Sequence, residues 1–119
     1  MTRVTGFTLA VTHIQQMVGF YTHVFSISFE AKELYGGTLY FGDWEGIEIC
    51  LCPASIAKNT IKQNRHQLDV LVENILETKG LVERYGGGSM GAVEEVQNTI
   101  SMGIYDPDNN SLVIKQVKK

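Results

Sequence analysis

Apolar and polar positions alternate from Val4 to Val11, with β-branched residues among them, which is the period-two signature of a strand. The period then lengthens. Ile14, Met17, Val18, Tyr21, Val24 and Phe25 recur at helical spacing and form one apolar stripe. Thr12, followed three residues later by Gln15, has the form of a capping box at the start of that helix. Three strand-like runs follow at Ser26–Glu30, Thr38–Phe41 and Ile47–Cys52, separated by turn-forming residues at Tyr35-Gly36-Gly37 and from Gly42 to Gly46. The next stretch, from Pro53 to Asn64, is polar apart from Ile56 and Ile61 and reads as a linker.

The pattern then restarts. Gln67–Val72 reads as a strand, and Glu73–Tyr85 carries Ile75, Leu76 and Val82 at helical spacing until Gly86-Gly87-Gly88 stops it. Ala92–Val96, Thr99–Tyr105 and Ser111–Lys115 supply three further strands, the last two joined by the turn residues Asp106 to Asn110. Leu9 to Ile14 lies over Val70 to Ile75, and Gly46 to Ile49 over Ser111 to Ile114, so the second half repeats the first. The expected architecture is α+β: two βαβββ modules forming a curved mixed sheet around a cavity, with the helices outside. The boundaries are residues 1–53 for module one, 54–65 for the linker and 66–119 for module two.

Composition narrows the partners. The 119 residues suffice for one domain built from two small modules sharing a core. Net charge is -3 and the ten Lys and Arg residues are scattered, so no basic stripe suits a nucleic-acid backbone. No apolar run approaches the roughly 18 residues that span a bilayer, and no leader pattern opens the sequence, so a cytoplasmic protein without a membrane partner is expected. Cys50 and Cys52 share a strand face two residues apart, a poor geometry for a mutual disulfide and no zinc half-site. The triple glycine lacks the strand-loop-helix context of a dinucleotide site, and no organic cofactor is expected.

The run V-T-H-I-Q-Q-M-V-G-F-Y-T-H-V-F-S-I-S-F-E resembles the first strand, helix and second strand of the vicinal oxygen chelate superfamily. Its members include glyoxalase I, extradiol dioxygenases and bleomycin-resistance proteins. Phe20-Tyr21 in the helix and the terminal Y-D-P-D-N-N-S-L-V-I-K hairpin carry the resemblance, which extends over the whole chain. It implies a homodimer in which each cavity takes elements from both chains. It also places the divalent-ion positions of the metal-dependent members at Gly6, Glu48, Gln67 and Val113. Glycine has no side chain and valine no donor, so the family metal set is incomplete and no metal is expected there. His66, next to Gln67, needs a bulge to point inward. His13 stands where the family often has Asp, which suggests capping.

The flanking Ile47 and Ile49 put Glu48 on the cavity face, as a general base, an anchor for a cationic or hydroxyl group, or a solvated residue near the mouth. Gln67 and Asp69 share a face that either lines the cavity or is simply wet. Thr8 lies on the face of Gly6, where small side chains leave volume for a ligand or for a neighbouring strand. Cys50 joins this set, with core packing as its alternative. Trp44 and Tyr105 are candidates to stack on a flat ligand, or else close a core edge. With the homodimer that the resemblance implies, these residues suggest a metal-free protein of the bleomycin-resistance type that binds a small aromatic or amphipathic molecule. The alternatives are a metal-dependent glyoxalase-like lyase, isomerase or dioxygenase, and a structural or regulatory dimer whose cavity is filled by its own side chains.

Overall fold

The computed structural model describes residues 4–57, 64 and 66–118. Strand β1 (Gly6–Val11) leads into helix α1 (Ile14–Phe25), then into β2 (Phe29–Leu34), β3 (Gly37–Trp44) and β4 (Ile47–Pro53). After a helical turn, α2 (Ala54–Ala57), the order repeats as β5 (Leu68–Leu71), α3 (Ile75–Arg84), β6 (Gly88–Val96), β7 (Thr99–Tyr105) and β8 (Ser111–Val117). The fold is α+β, two βαβββ modules, each with its own four-stranded mixed sheet, of orders β1-β4-β3-β2 and β5-β8-β7-β6. In each, the first and last strands pair in parallel and the remainder antiparallel. Among the described residues, no helix is long and apolar enough to cross a membrane.

Local chemistry explains most boundaries. Tyr35-Gly36 and Glu45-Gly46 all have positive φ, the geometry of two-residue hairpins that match the strand twist. Because Glu45-Gly46 alone makes the second turn, β3 runs on to Trp44 instead of stopping at Phe41. The second strand starts later than the alternation suggests. Ser26 takes the left-handed conformation that closes α1, and Ile27, 1% exposed, anchors the exit, so pairing begins at Phe29. In β6 a bulge between Met90 and Glu94, with Gly91 at φ +63, hides the alternation ahead of Ala92.

The expected capping box on α1 is not formed. His13 is the N-cap and makes no side-chain cap bond; the carboxylate of Asp108, from the β7–β8 turn, accepts the Thr12 and His13 N–H groups at 2.6 and 3.1 Å. The His13 ring Nδ1–H donates to the same carboxylate at 2.7 Å. A nearly buried anion at the helix N-terminus satisfies the free amides and complements the dipole, and Gln15 donates instead to the Tyr40 hydroxyl. Helix α3 is capped locally by Asn74, which accepts from Glu77 N–H at 3.0 Å. Leu76 is 68% exposed, and Thr78 takes its place on the buried stripe with Ile75 and Val82.

Met17, Phe20, Tyr21 and Val24 of α1 enter one core with Leu9, Val11, Ile49 and Leu51 of the first sheet and Met102, Ile104, Leu112 and Ile114 of the second. Each fully buried apolar side chain there contributes roughly 1.5–3 kcal/mol. Gly87 marks the close approach: a Cβ there would collide with the Tyr105 carbonyl oxygen and lie 2.8 Å from the Phe20 ring. Beside this core, Asp106 is 1% exposed and fully bonded. It accepts from the Tyr21 hydroxyl at 3.0 Å and from Asp108 N–H, Asn110 N–H and the Asn110 amide at 2.9 Å each.

Candidate functional site

The faces of the two sheets turned away from this core differ in chemistry. In the first, the ladder register sets Thr8 beside Cys50, Cys50 beside Phe41, and Phe41 beside Glu30. The neighbouring row sets Gly6 beside Glu48 and Glu48 beside Asp43. Leu39, Cys50 and Cys52 are buried together there, with Phe41 and the α2 residue Ile56 packed against them. This small apolar cluster is separate from the main core.

Two hollows open on this face. One of about 640 Å³ is bounded by Thr8, Leu39, Cys50, Cys52, Tyr35 and Ile56. The other, about 430 Å³, is bounded by Glu30, Lys32, Phe41, Asp43 and Glu48. The Lys32 ammonium sits 5.1 Å from the Phe41 ring centre, a cation–π distance. Glu48 is exposed, and among the described residues no basic side chain pairs with it. Burial pushes both thiols up from their ordinary range; at Cys50 the Thr8 side-chain hydrogen bond pulls the other way. Both are free, buried cysteines.

Thr8, Glu48 and Cys50 are therefore brought together. Asp69 and Tyr105 belong to the second sheet, and Asp69 borders a hollow of about 290 Å³ together with Trp44. Gln67 precedes β5 and its amide donates to the Ser111 hydroxyl at 3.1 Å, while Asp69 pairs with Lys115 at 3.0 Å. Tyr105 ends β7 opposite Gly88 and Ser111. Trp44 is on the other side of the first sheet, its ring 5.2–6.3 Å from those of Phe25, Tyr21 and Phe7, closing a core edge. It also borders a 710 Å³ groove between the end of α1 and the start of α3. His66 lies ahead of β5 and is exposed.

Asp43, Phe41 and Leu39 went unnoticed as members of this face. Their signal was present, since Leu39, Phe41 and Asp43 alternate with Tyr40, Gly42 and Trp44, but reading Gly42 to Gly46 as one loop cut the strand short.

The positions where related folds hold a divalent ion do not fit one here. A Cβ on Gly6 would stand 2.9 Å from the Glu48 carbonyl oxygen and 3.0 Å from its Cβ, so even the start of a ligand side chain is crowded out. Register adds a second mismatch: Glu48 lies across from Gly6, but Val113 lies across from Asp69, two residues past Gln67. Among the described residues, no three His, Cys, Asp or Glu side chains converge as a metal cluster.

Comparison of the whole backbone with solved structures decides the fold. A glyoxalase/bleomycin resistance protein/dioxygenase family enzyme from Burkholderia phytofirmans superposes with a TM-score of 0.79 at 15% identity, over 98% of this chain and 99% of that one. The chain has the vicinal oxygen chelate fold. A glyoxalase-related enzyme from Fulvimarina pelagi matches this fold at TM-score 0.78 and 16% identity, over 98% and 88% of the two chains. The fosfomycin resistance protein FosX from Listeria monocytogenes, solved with Mn(II) and sulfate, matches at 0.78 and 15%, over 99% and 92%. No family model matches the sequence, and no curated protein is similar to it in sequence. At such identities the vicinal oxygen chelate fold is what the likeness carries; residue roles rest on the geometry above.

Proposed function

We propose that this chain is a small-molecule-binding protein that acts as a homodimer and holds its ligand on the open face of the first sheet, without a divalent ion at the family positions. The observation that carries this reading is the apolar cluster of Leu39, Phe41, Cys50, Cys52 and Ile56, which among the described residues borders two hollows on the face away from the main core. A concave apolar surface beside a few polar groups is the usual form of a ligand site. Glu48 and Asp43 stand at its edge, so the favoured ligand has an aromatic or aliphatic body and a hydroxyl or cationic group. Among the described residues, the side chains around both hollows come from residues 8–57, and a partner copy is proposed to supply a further wall. The two free thiols support a cytoplasmic setting.

The test uses 1-aminoanthracene as an environment-sensitive probe, with sedimentation equilibrium for the assembly state. Saturable fluorescence enhancement in the dimer, abolished by Thr8→Trp, supports the reading. A monomer that gives no enhancement, or enhancement that Thr8→Trp leaves unchanged, overturns it.

A further inference from the structure

Away from the open face, the groove of about 710 Å³ between the end of α1 and the start of α3 is within the size range of small-molecule sites. Its charged groups are nearly all of one sign. Glu45, from the β3–β4 turn, and Glu73 and Glu77, at the start of α3, border it and are exposed; among the described residues none of the three forms an ion pair, and no Lys or Arg borders the groove. His23 adds an acceptor, because its Nδ1–H donates to the Gly19 carbonyl at 2.9 Å and leaves a lone pair on Nε2 of the neutral ring. Thr78 also borders the groove and is 8% exposed, yet its hydroxyl bonds to none of the described residues. The start of α3 offers an anion little: the N–H groups of Ile75, Glu77 and Thr78 are taken by Gln116 Oε1, Asn74 Oδ1 and the Asn74 carbonyl. A ligand here has to bring hydrogen-bond donors and positive charge. Among the described residues no three His, Cys, Asp or Glu side chains converge as a metal cluster, so the charge to be met is spread along the groove rather than gathered at a point. Between the carboxylates, the half-buried rings of Phe25 and Trp44, 5.2 Å apart, offer apolar surface and aromatic faces that attract ammonium groups.

We propose that this groove is a second ligand site, for an aliphatic polyamine whose ammonium groups meet Glu45, Glu73 and Glu77 and whose methylene chain lies along Phe25 and Trp44. The Thr78 hydroxyl accepts an N–H from the amine, which gives that buried group its partner. The groove shares no lining residue with the two open-face hollows, so this site and the ligand reading above stand or fall separately.

Trp44 is the chain's single tryptophan and borders the groove, so its emission reports binding directly. The experiment titrates the full-length protein with spermidine, following that emission and, in parallel, the heat of binding, with n-butylamine as the singly charged control. One spermidine per chain is expected, bound about five-fold or more tightly than n-butylamine and released by added salt. Glu45→Gln, Glu73→Gln and Glu77→Gln should each weaken binding about two- to five-fold, and the double change at Glu73 and Glu77 more than either alone. Thr78→Val should weaken it about two- to ten-fold, while Thr78→Ser, which keeps the hydroxyl, binds as the parent does. Glu94→Gln, on β6 and outside the groove, should leave binding unchanged. The exposed glutamates carry the test where Thr78→Val fails to fold. Absence of saturable emission change and heat, several spermidines per chain, equal affinity for n-butylamine, or a Glu73→Gln/Glu77→Gln variant that binds like the parent overturns the proposal.

Discussion

The junction around Asp106 and the open face of the first sheet both set polar groups next to apolar ones, yet they are built to opposite ends. At the junction every oxygen of the buried carboxylate has partners: one accepts from two backbone amides, the other from Tyr21 and Asn110. Asn64 extends the network, donating to Asn110 Oδ1 from its backbone N–H at 2.6 Å and bonding Ala10 through its amide. On the open face, Glu48 and Asp43 stand directly opposite each other with like charge, beside an apolar cluster bordered by hollows. The first arrangement is complete within the chain and holds two modules together. The second sets two like charges opposite each other beside hollows that no polar network closes, which costs stability through their repulsion.

The comparison breaks most readily at Asp106. Asp106→Ala strands the Tyr21 hydroxyl, the Asn110 amide and two backbone N–H groups, and is expected to lower unfolding free energy by about 3 kcal/mol or more in urea titration. Tyr21→Phe removes one of those bonds and keeps the ring in the core, so a loss of about 1–2 kcal/mol is expected. If that variant matches the parent, the hydroxyl is not part of the clamp.

At the open face the expected stability effects are smaller and the binding effects larger. Glu48→Gln relieves the opposition with Asp43, so stability should stay within about 0.5 kcal/mol of the parent, on the higher side if it moves. Binding of a cationic aromatic amine such as 2-aminoacridine should weaken; a stability loss instead would make Glu48 structural.

A smaller, pH-dependent effect sharpens the description of the junction. Burial raises the Asp106 carboxyl above its ordinary 3.8, with the Asn110, Tyr21 and Asp108 hydrogen bonds opposing. A folded-state value above the unfolded one gives stability that is present below about 3.8 and lost as pH rises through the raised value. The parent's stability relative to Asp106→Asn should therefore decline as pH rises from acid toward neutral. A relative stability that instead grows with pH would show the hydrogen bonds outweighing desolvation.

Much of this was legible locally. The stripe of α1 and the alternation of β1, β4, β7 and β8 each repeat within a few residues, and Thr8, Glu48 and Cys50 fall on one face by alternation alone. Trp44 reads the same whether it borders a ligand or a core edge, because an aromatic beside a turn suits both; in the structure its ring meets three others and also borders two hollows. Thr12 and Gln15 have the right spacing for a box, yet Asp108, 96 residues along from Thr12, takes the amides. Asp43 was obscured by its neighbouring glycines.

By itself the sequence determined the two βαβββ modules, because periodicity is a property of short stretches. The tertiary structure decided what depends on residues far apart meeting: the Asp108 cap on α1, the Asp106–Tyr21 clamp, the pairing of Val113 with Asp69, and the gathering of Leu39, Cys50, Cys52 and Ile56 on an open face. These follow from strand register and from the single core that both sheets share, and neither is written in any local repeat.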